Sequence, residues 1–161
     1  MLHVHVLRLS GDNVSTLGKM WIEGEPMFRC KTEEKPLQEF AHLQKLKCAL
    51  PDGDYVGCIK MVGRFCTLGI LKGGFYSMAR FGDAPLGSMP LGSVRMFSNR
   101  ADTKELLSEY LFQMMAKGFT SQPRPKRGDI QIHIRTDKDF EYTPREEEKD
   151  GYDFNLDDDY V

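Results

Sequence analysis

The sequence predicts a mainly β protein with one principal helix, folded as a curved antiparallel β-sandwich or open barrel. Two patterns lead to this fold class: short alternating segments are separated by turn residues, and one long segment, residues 103–117, has apolar residues at helical spacing. A chain of 161 residues without an internal repeat is most simply one domain. We therefore expect a domain over residues 1–145 and an acidic tail over residues 146–161.

Seven segments show the alternation and the β-branched or aromatic residues typical of strands. In the first, Leu2, Val4 and Val6 alternate with His3 and His5, which predicts one buried face and one outward face. Glycine-containing turns between neighbouring segments predict hairpins, and a β-meander in the middle of the chain. The expected strands are residues 2–9, 16–22, 27–33, 55–62, 65–71, 73–79 and 129–135.

The remaining elements are one helix and its connections. Residues 35–48 predict a short helix or a packed connecting loop, and residues 80–91 hold too many glycines and prolines for a regular element. Asp102 and Glu105 have the spacing of a capping box at the start of the helix, and Gly118 predicts its end. The helix should bury its apolar stripe against the sheet.

Charge and hydropathy exclude several classes of function. The formal net charge of −2 is not that of a general nucleic-acid-binding protein. No apolar run reaches the roughly 20 residues of a membrane helix, so no membrane span is expected. The N-terminus lacks the pattern of a secretory signal, which favours synthesis in the cytoplasm and is compatible with later incorporation into a phage particle.

The cysteines and histidines predict neither a cofactor nor a metal centre. Cys30, Cys48, Cys58 and Cys66 lack the close paired spacing of a zinc site, and we expect reduced, mostly buried thiols. The alternative is a bridge between Cys58 and Cys66 on neighbouring strands. His3 and His5 point to the same side of one strand, but no third ligand lies near them in the sequence.

One segment carries a chemical signature. Residues 90–96 read Pro-Leu-Gly-Ser-Val-Arg-Met, and the helix that opens at Asp102 follows closely. This segment resembles the catalytic motif of the L,D-transpeptidases, which reads Ser-His-Gly-Cys, an aliphatic residue, Arg, an apolar residue and then an Asp that opens a helix. A Pro-x-Gly turn at residues 51–53 is a second match, and the resemblance covers roughly residues 50–117. The matching positions of the motif are Gly92, Val94, Arg95, Met96 and Asp102.

The resemblance implies the fold of that family and a change in its chemistry. The family attacks a peptide carbonyl of peptidoglycan with a Cys thiolate next to a His, but here Ser93 replaces the Cys and Leu91 replaces the His. We therefore expect a non-catalytic domain reused as a structural or binding component. The alternative is a serine-variant acyltransferase or amidase acting on peptidoglycan stem peptides, with Ser93 as the nucleophile and His133 as its base. Arg95 would then bind an anion or a carbonyl; otherwise it pairs with a nearby acid.

The front of the chain has a second resemblance. It is similar to small domains of unknown function from phages and Bacteroidetes-type genomes, in which a Gly-Lys strand, an acidic-Gly turn and a Thr-acidic strand end recur. This resemblance implies a virion or a cell envelope as the setting. The matching residues are Gly18, Lys19, Gly24, Thr32 and Glu33.

Two segments near the C-terminus are expected to bind a partner. The acidic tail is interrupted by apolar and aromatic residues, so it could add to a sheet or dock in a groove lined with basic residues, as an adaptor would capture a basic protein. A short loop rich in proline and basic residues could contact an anionic polymer or the tail itself; a solvated loop is the alternative. Peptidoglycan is a separate partner that the transpeptidase resemblance implies. The residues concerned are Tyr152, Phe154, Leu156 and Tyr160 in the tail, and Arg124, Lys126 and Arg127 in the loop.

Overall fold

The computed structural model describes residues 1–24, 28–41, 48–73, 76–98, 102–118 and 130–144. In these residues the chain forms eight strands, one α-helix and two short 3-10 helices at Gln38–Phe40 and Leu86–Ser88. The main elements are β1 (Leu2–Gly11), β2 (Thr16–Ile22), β3 (Phe28–Glu34), β4 (Gly53–Val62), β5 (Phe65–Leu71), β6 (Phe81–Gly82), β7 (Val94–Phe97), α1 (Thr103–Ala116) and β8 (Ile130–Tyr142).

All eight strands belong to one curved sheet that closes almost completely into a barrel. The order across the sheet is β5-β4-β8-β1-β2-β3-β7-β6, so β5 and β6 form its two edges. These edges meet: Gly69 bridges Arg80, the Ile70 N–H donates to the Ala79 carbonyl at 2.9 Å, and the Thr67 hydroxyl donates to the Phe81 carbonyl at 2.7 Å. The predicted fold class, mainly β and barrel-like with one principal helix, is confirmed.

Two of the pairings in the sheet are parallel rather than antiparallel. The last strand, β8, inserts between β4 and β1 and runs parallel to β1, while the short β6 runs parallel to β7. The register of the first parallel pair places His133 directly opposite His5. Because β1 and β8 are neighbours in the middle of the sheet, residues far apart in sequence lie side by side on its outer surface.

Alternation along the strands fills the barrel with apolar side chains. Val4 on β1 and Ile132 on β8 are fully buried, as the predicted faces require. Helix α1 packs Leu107 and Leu111 against the same core, and its Ser108 hydroxyl accepts a hydrogen bond from the backbone N–H of Cys66 at 2.8 Å. All four cysteines are buried and reduced, as predicted, and the alternative Cys58 to Cys66 bridge is not formed.

A buried arginine stabilises one end of the barrel. Arg8 is 1 % exposed and donates to both carboxylate oxygens of Glu34, at 3.1 and 2.8 Å. It also donates to Asp52 at 2.9 Å and to the Leu50 carbonyl at 2.6 Å. Burial alone lowers the pKa of Arg8, but the two carboxylates outweigh burial and hold this pKa above its ordinary value.

Three local predictions are wrong. Residues 80–91, where no regular element was expected, contain the short strand β6 and the 3-10 helix Leu86–Ser88. Residues 76–79 do not form the end of a strand: the chain turns there, with the Ala79 N–H donating to the Tyr76 carbonyl at 3.0 Å, and then runs into the closing β6. The capping box is also absent, because Asp102 has φ −106° and ψ 23°, outside the extended region from which a side chain caps, and makes no side-chain capping bond. The helix does begin and end near the predicted residues, and Gly118 has the positive φ expected of a stop.

Candidate functional site

Ser93 lies directly before β7, and its hydroxyl group is buried. The residue is 4 % exposed, and its Oγ accepts the backbone N–H of Arg80 at 3.1 Å. Its own N–H donates to the Pro90 carbonyl at 3.1 Å. The serine therefore helps to hold Arg80, whose backbone bridges Gly69 where the two edges of the sheet meet. A substrate carbonyl has no open approach to an oxygen placed in this way.

Arg95 pairs with an acidic side chain, Glu33, which was one of the two roles expected for it. Its Nη1 lies 3.0 Å from Glu33 Oε1, and the guanidinium sits 5.0 Å from the centre of the Phe97 ring. The pairing of β3 with β7 places Glu33 directly opposite Arg95, so the ion pair follows from the register. Both side chains remain partly exposed, at 28 % and 33 %.

The structure does not bring His133 to Ser93. Three strands, β1, β2 and β3, separate β8 from β7 in the sheet. Both ring nitrogens of His133 are engaged elsewhere: Nδ1 lies 2.8 Å from Asp54 Oδ1, and Nε2 lies 2.9 Å from Nδ1 of His3. Of the three residues expected to act together, Ser93 and Arg95 share one strand region and His133 lies on the far side of the sheet.

The predicted partner-binding residues lie outside the described residues. This holds for the basic loop and for the acidic tail alike. Their roles stay predictions. The residues are Arg124, Lys126, Arg127, Tyr152, Phe154, Leu156 and Tyr160.

The structure reveals a row of outward side chains, three of them ring-bearing, that sequence reasoning missed. Register pairs across five neighbouring strands place five residues side by side on the outer surface, and we call this set the ring row. The rings of His133 and His5 are 4.9 Å apart, and those of His5 and Trp21 are 5.0 Å apart with planes within 13°. The ring row consists of Asp54, His133, His5, Trp21 and Arg29.

Carboxylates flank the histidines of the ring row. Asp54 accepts hydrogen bonds from His133 and, at 2.7 Å, from Arg135. Both bonds lower the pKa of Asp54, and the bond from His133 has the larger effect. Glu23 bonds to His5, and this bond is the main reason that the pKa of Glu23 is lowered. Across the described ranges, no group of three or more His, Cys, Asp or Glu side chains is placed to hold a metal ion.

A basic groove adjoins the ring row at Trp21. It has a volume of about 540 Å³, and Lys19, Arg29 and Lys31 supply its charges. Lys19 lies 5.8 Å from the centre of the Trp21 ring. The groove runs beside the first half of β3, since β7 pairs only with the stretch from Lys31 to Glu33. Alternation predicts that these side chains face outward, but only the register brings them together.

Two further observations bear on function. In the part of the chain that the structure describes, no helix combines the length and the apolar character needed to cross a membrane. Comparison with known protein families, with curated proteins and with solved structures gives no match for this chain.

Proposed function

We propose that this chain is a non-catalytic, L,D-transpeptidase-like domain that serves as a structural or binding component of a phage particle or a cell-envelope assembly. The observation that carries the proposal is the position of Ser93. It occupies the place of the nucleophile in the motif, yet its hydroxyl is buried and bonded to the backbone of Arg80.

A serine nucleophile needs a base within about 2.6–3.2 Å of its oxygen. His133 is the histidine that was expected to supply this base, and its two ring nitrogens are bonded to Asp54 and His3. Arg95 is likewise held by Glu33 rather than directed at a substrate. Each member of the expected catalytic set therefore has a structural partner, which supports retention of a scaffold without its reaction.

The outer surface supports a binding role. Rings and charges lie together on the outside of the sheet, in the ring row and the basic groove. A surface with a tryptophan among lysines and an arginine suits an anionic partner, since charge attracts it and the ring adds contact area. Peptidoglycan stem peptides carry carboxylates and are one such partner.

The test is incubation of the purified chain with muropeptides, followed by mass spectrometry of the products. We expect no acyl transfer and no hydrolysis. Turnover that disappears in Ser93→Ala and persists in Ser88→Ala would establish the alternative, a serine-variant acyltransferase or amidase. Ser88 is a suitable control because it is an exposed serine in the loop before the same motif. Melting curves of both variants show whether Ser93→Ala still folds.

A further inference from the structure

The charge of this chain is divided unevenly along its length. Residues 146–161 hold eight acidic residues and one lysine, a formal net charge of −7. The whole chain carries −2, so the preceding 145 residues carry +5. A protein of modest overall charge thus combines a basic body with a strongly acidic terminal segment, and the two attract each other over roughly 8–10 Å at physiological ionic strength.

The basic groove is the surface of the described structure that best fits this attraction. Lys19 on β2 lies directly opposite Lys31 on β3. Two residues further along the same strands, Trp21 lies directly opposite Arg29. Like charges directly opposite each other in a sheet are destabilising. Among the described residues that line the groove there is no acid, and three of them are basic. An acidic ligand placed there would relieve the repulsion.

The groove also suits the apolar pattern of the tail. Tyr152, Phe154 and Leu156 alternate with polar residues, a spacing that places them on one side of an extended segment. Trp21 provides a ring surface in the groove, and the backbone of β3 before Lys31 lies beyond its pairing with β7. An extended peptide in the groove can therefore place its rings against Trp21 and its acidic side chains beside the lysines.

The tail is long enough to reach the groove of its own chain. The described chain leaves the sheet beside Gly11, where the Thr143 N–H donates to the Gly11 carbonyl at 2.9 Å. Along the strands, Trp21 is level with His5, which is six residues from Gly11 on β1. Across the strands, β8 and β3 are about three strand spacings apart. The straight distance from the end of β8 to the groove is therefore about 25 Å. The ten residues from Tyr142 to Tyr152 span up to about 33–36 Å when extended.

We propose that the basic groove is the docking site for the acidic tail, residues 146–161, of the same chain. Attachment to the domain gives the tail an effective concentration in the millimolar range, which favours its own groove over that of a second copy. A partner of the groove then has to displace the tail. The proposal is independent of whether Ser93 is catalytic.

Trp21 is the only tryptophan of the chain and reports directly on the groove. The experiment compares its fluorescence emission and its quenching by acrylamide in the intact chain and in the full-length triple variant Asp157→Asn, Asp158→Asn and Asp159→Asn. We expect the variant to emit at longer wavelength and to be quenched more strongly, since the tail leaves the ring. Salt at about 1 M, which screens charges beyond roughly 3 Å, should produce the same change in the intact chain.

The controls separate the tail from a general effect of charge. A matched triple variant, Glu109→Gln, Asp139→Asn and Glu141→Gln, removes three exposed acids from the domain and should leave the emission of Trp21 unchanged. Lys31→Glu should expose Trp21 as the tail variant does, and adding Asp157→Lys to it should restore protection. Identical quenching of the intact chain, the tail variant and the matched control at low salt would overturn the proposal. Protection that appears only with dimers in sedimentation at high protein concentration would instead assign the groove to the tail of a second copy, and would overturn docking within one chain.

Discussion

His3 and His133 share one hydrogen bond, from Nδ1 to Nε2 at 2.9 Å, although 130 positions separate them in the chain. One of the two nitrogens must donate a proton and the other must accept it. The contact exists because the last strand runs parallel to the first in the middle of the sheet. It therefore joins β1 and β8 on the outer surface of the sheet.

We expect this pair to contribute measurably to stability. His133→Ala removes the bonds to His3 and Asp54 and should lower the free energy of unfolding by about 1–2 kcal/mol, since each exchanged hydrogen bond contributes about 0.5–1.5 kcal/mol. Urea denaturation of His3→Ala, His133→Ala and the double variant gives the coupling free energy directly. Gln131→Ala, on the same face of β8, is the control and should cost less. Strict additivity of the two histidine variants would show that their contact contributes nothing.

The ring row illustrates how far sequence reasoning reaches in this protein. Alternation placed His3, His5 and His133 on outward faces, and the structure agrees. It did not reveal that these residues are neighbours, because alternation determines the face of a strand and not the identity of the adjacent strand. The same limit applies to the basic groove, which depends on the pairing of β2 with β3.

Local signals failed where the closure of the barrel imposes its own geometry. Residues 73–79 are rich in aromatic and glycine residues, and a hairpin with β5 was the simplest interpretation. The barrel instead needs a turn at Ser77 and Met78 so that Ala79 and Arg80 can bond to the edge of β5. The spacing of Asp102 and Glu105 likewise matches a capping box without the backbone geometry that such a cap requires.

Two adjacent glutamates on opposite faces of β3 should differ sharply in their importance. Glu34 is 1 % exposed and neutralises the buried Arg8, whereas Glu33 bonds to the partly exposed Arg95. Glu34→Gln leaves a buried guanidinium without its main counter-charge and should cost about 3–5 kcal/mol. Glu33→Gln should cost about 0–1 kcal/mol. Chemical denaturation of the two variants side by side measures the contrast, and equal losses would contradict it.

The thiols should be unreactive in the native protein. Burial raises the pKa of Cys30 to about 12, and all four cysteines are buried and outside any disulfide. Because the thiolate is the reactive form, we expect slow reaction with a disulfide reagent such as DTNB at pH 8. After denaturation without reductant, all four thiols should react. Recovery of only two would indicate a disulfide, and rapid reaction of the native protein would contradict the burial of these side chains.

Asp54 should add stability at neutral pH that acid removes. Its pKa in the folded protein lies below the ordinary value of 3.8, so the folded state binds fewer protons than the unfolded state as the pH falls. Its contribution is therefore fully present above about pH 4 and is lost as the pH falls through the lower, folded pKa. Asp54→Asn should melt at a lower temperature than the intact chain at pH 7, and the difference should shrink below pH 4. Asp139→Asn, an exposed change on β8, should show no such convergence.

Gly92 should tolerate no side chain, whatever the role of Ser93. Its φ of +83° is strained for other residues, and a Cβ there would lie 2.7 Å from Tyr76 Cδ1 and 3.2 Å from Leu50 Cγ. Gly92→Ala should therefore lower stability by at least about 1–3 kcal/mol, the usual cost of a strained backbone before the clash is added. Gly87→Ala is the matched control, because no atom lies within 4 Å of its Cβ position and its φ is ordinary. Thermal melting of both variants tests the difference. A stable Gly92→Ala would contradict the prediction and would mean that the segment before β7 can shift.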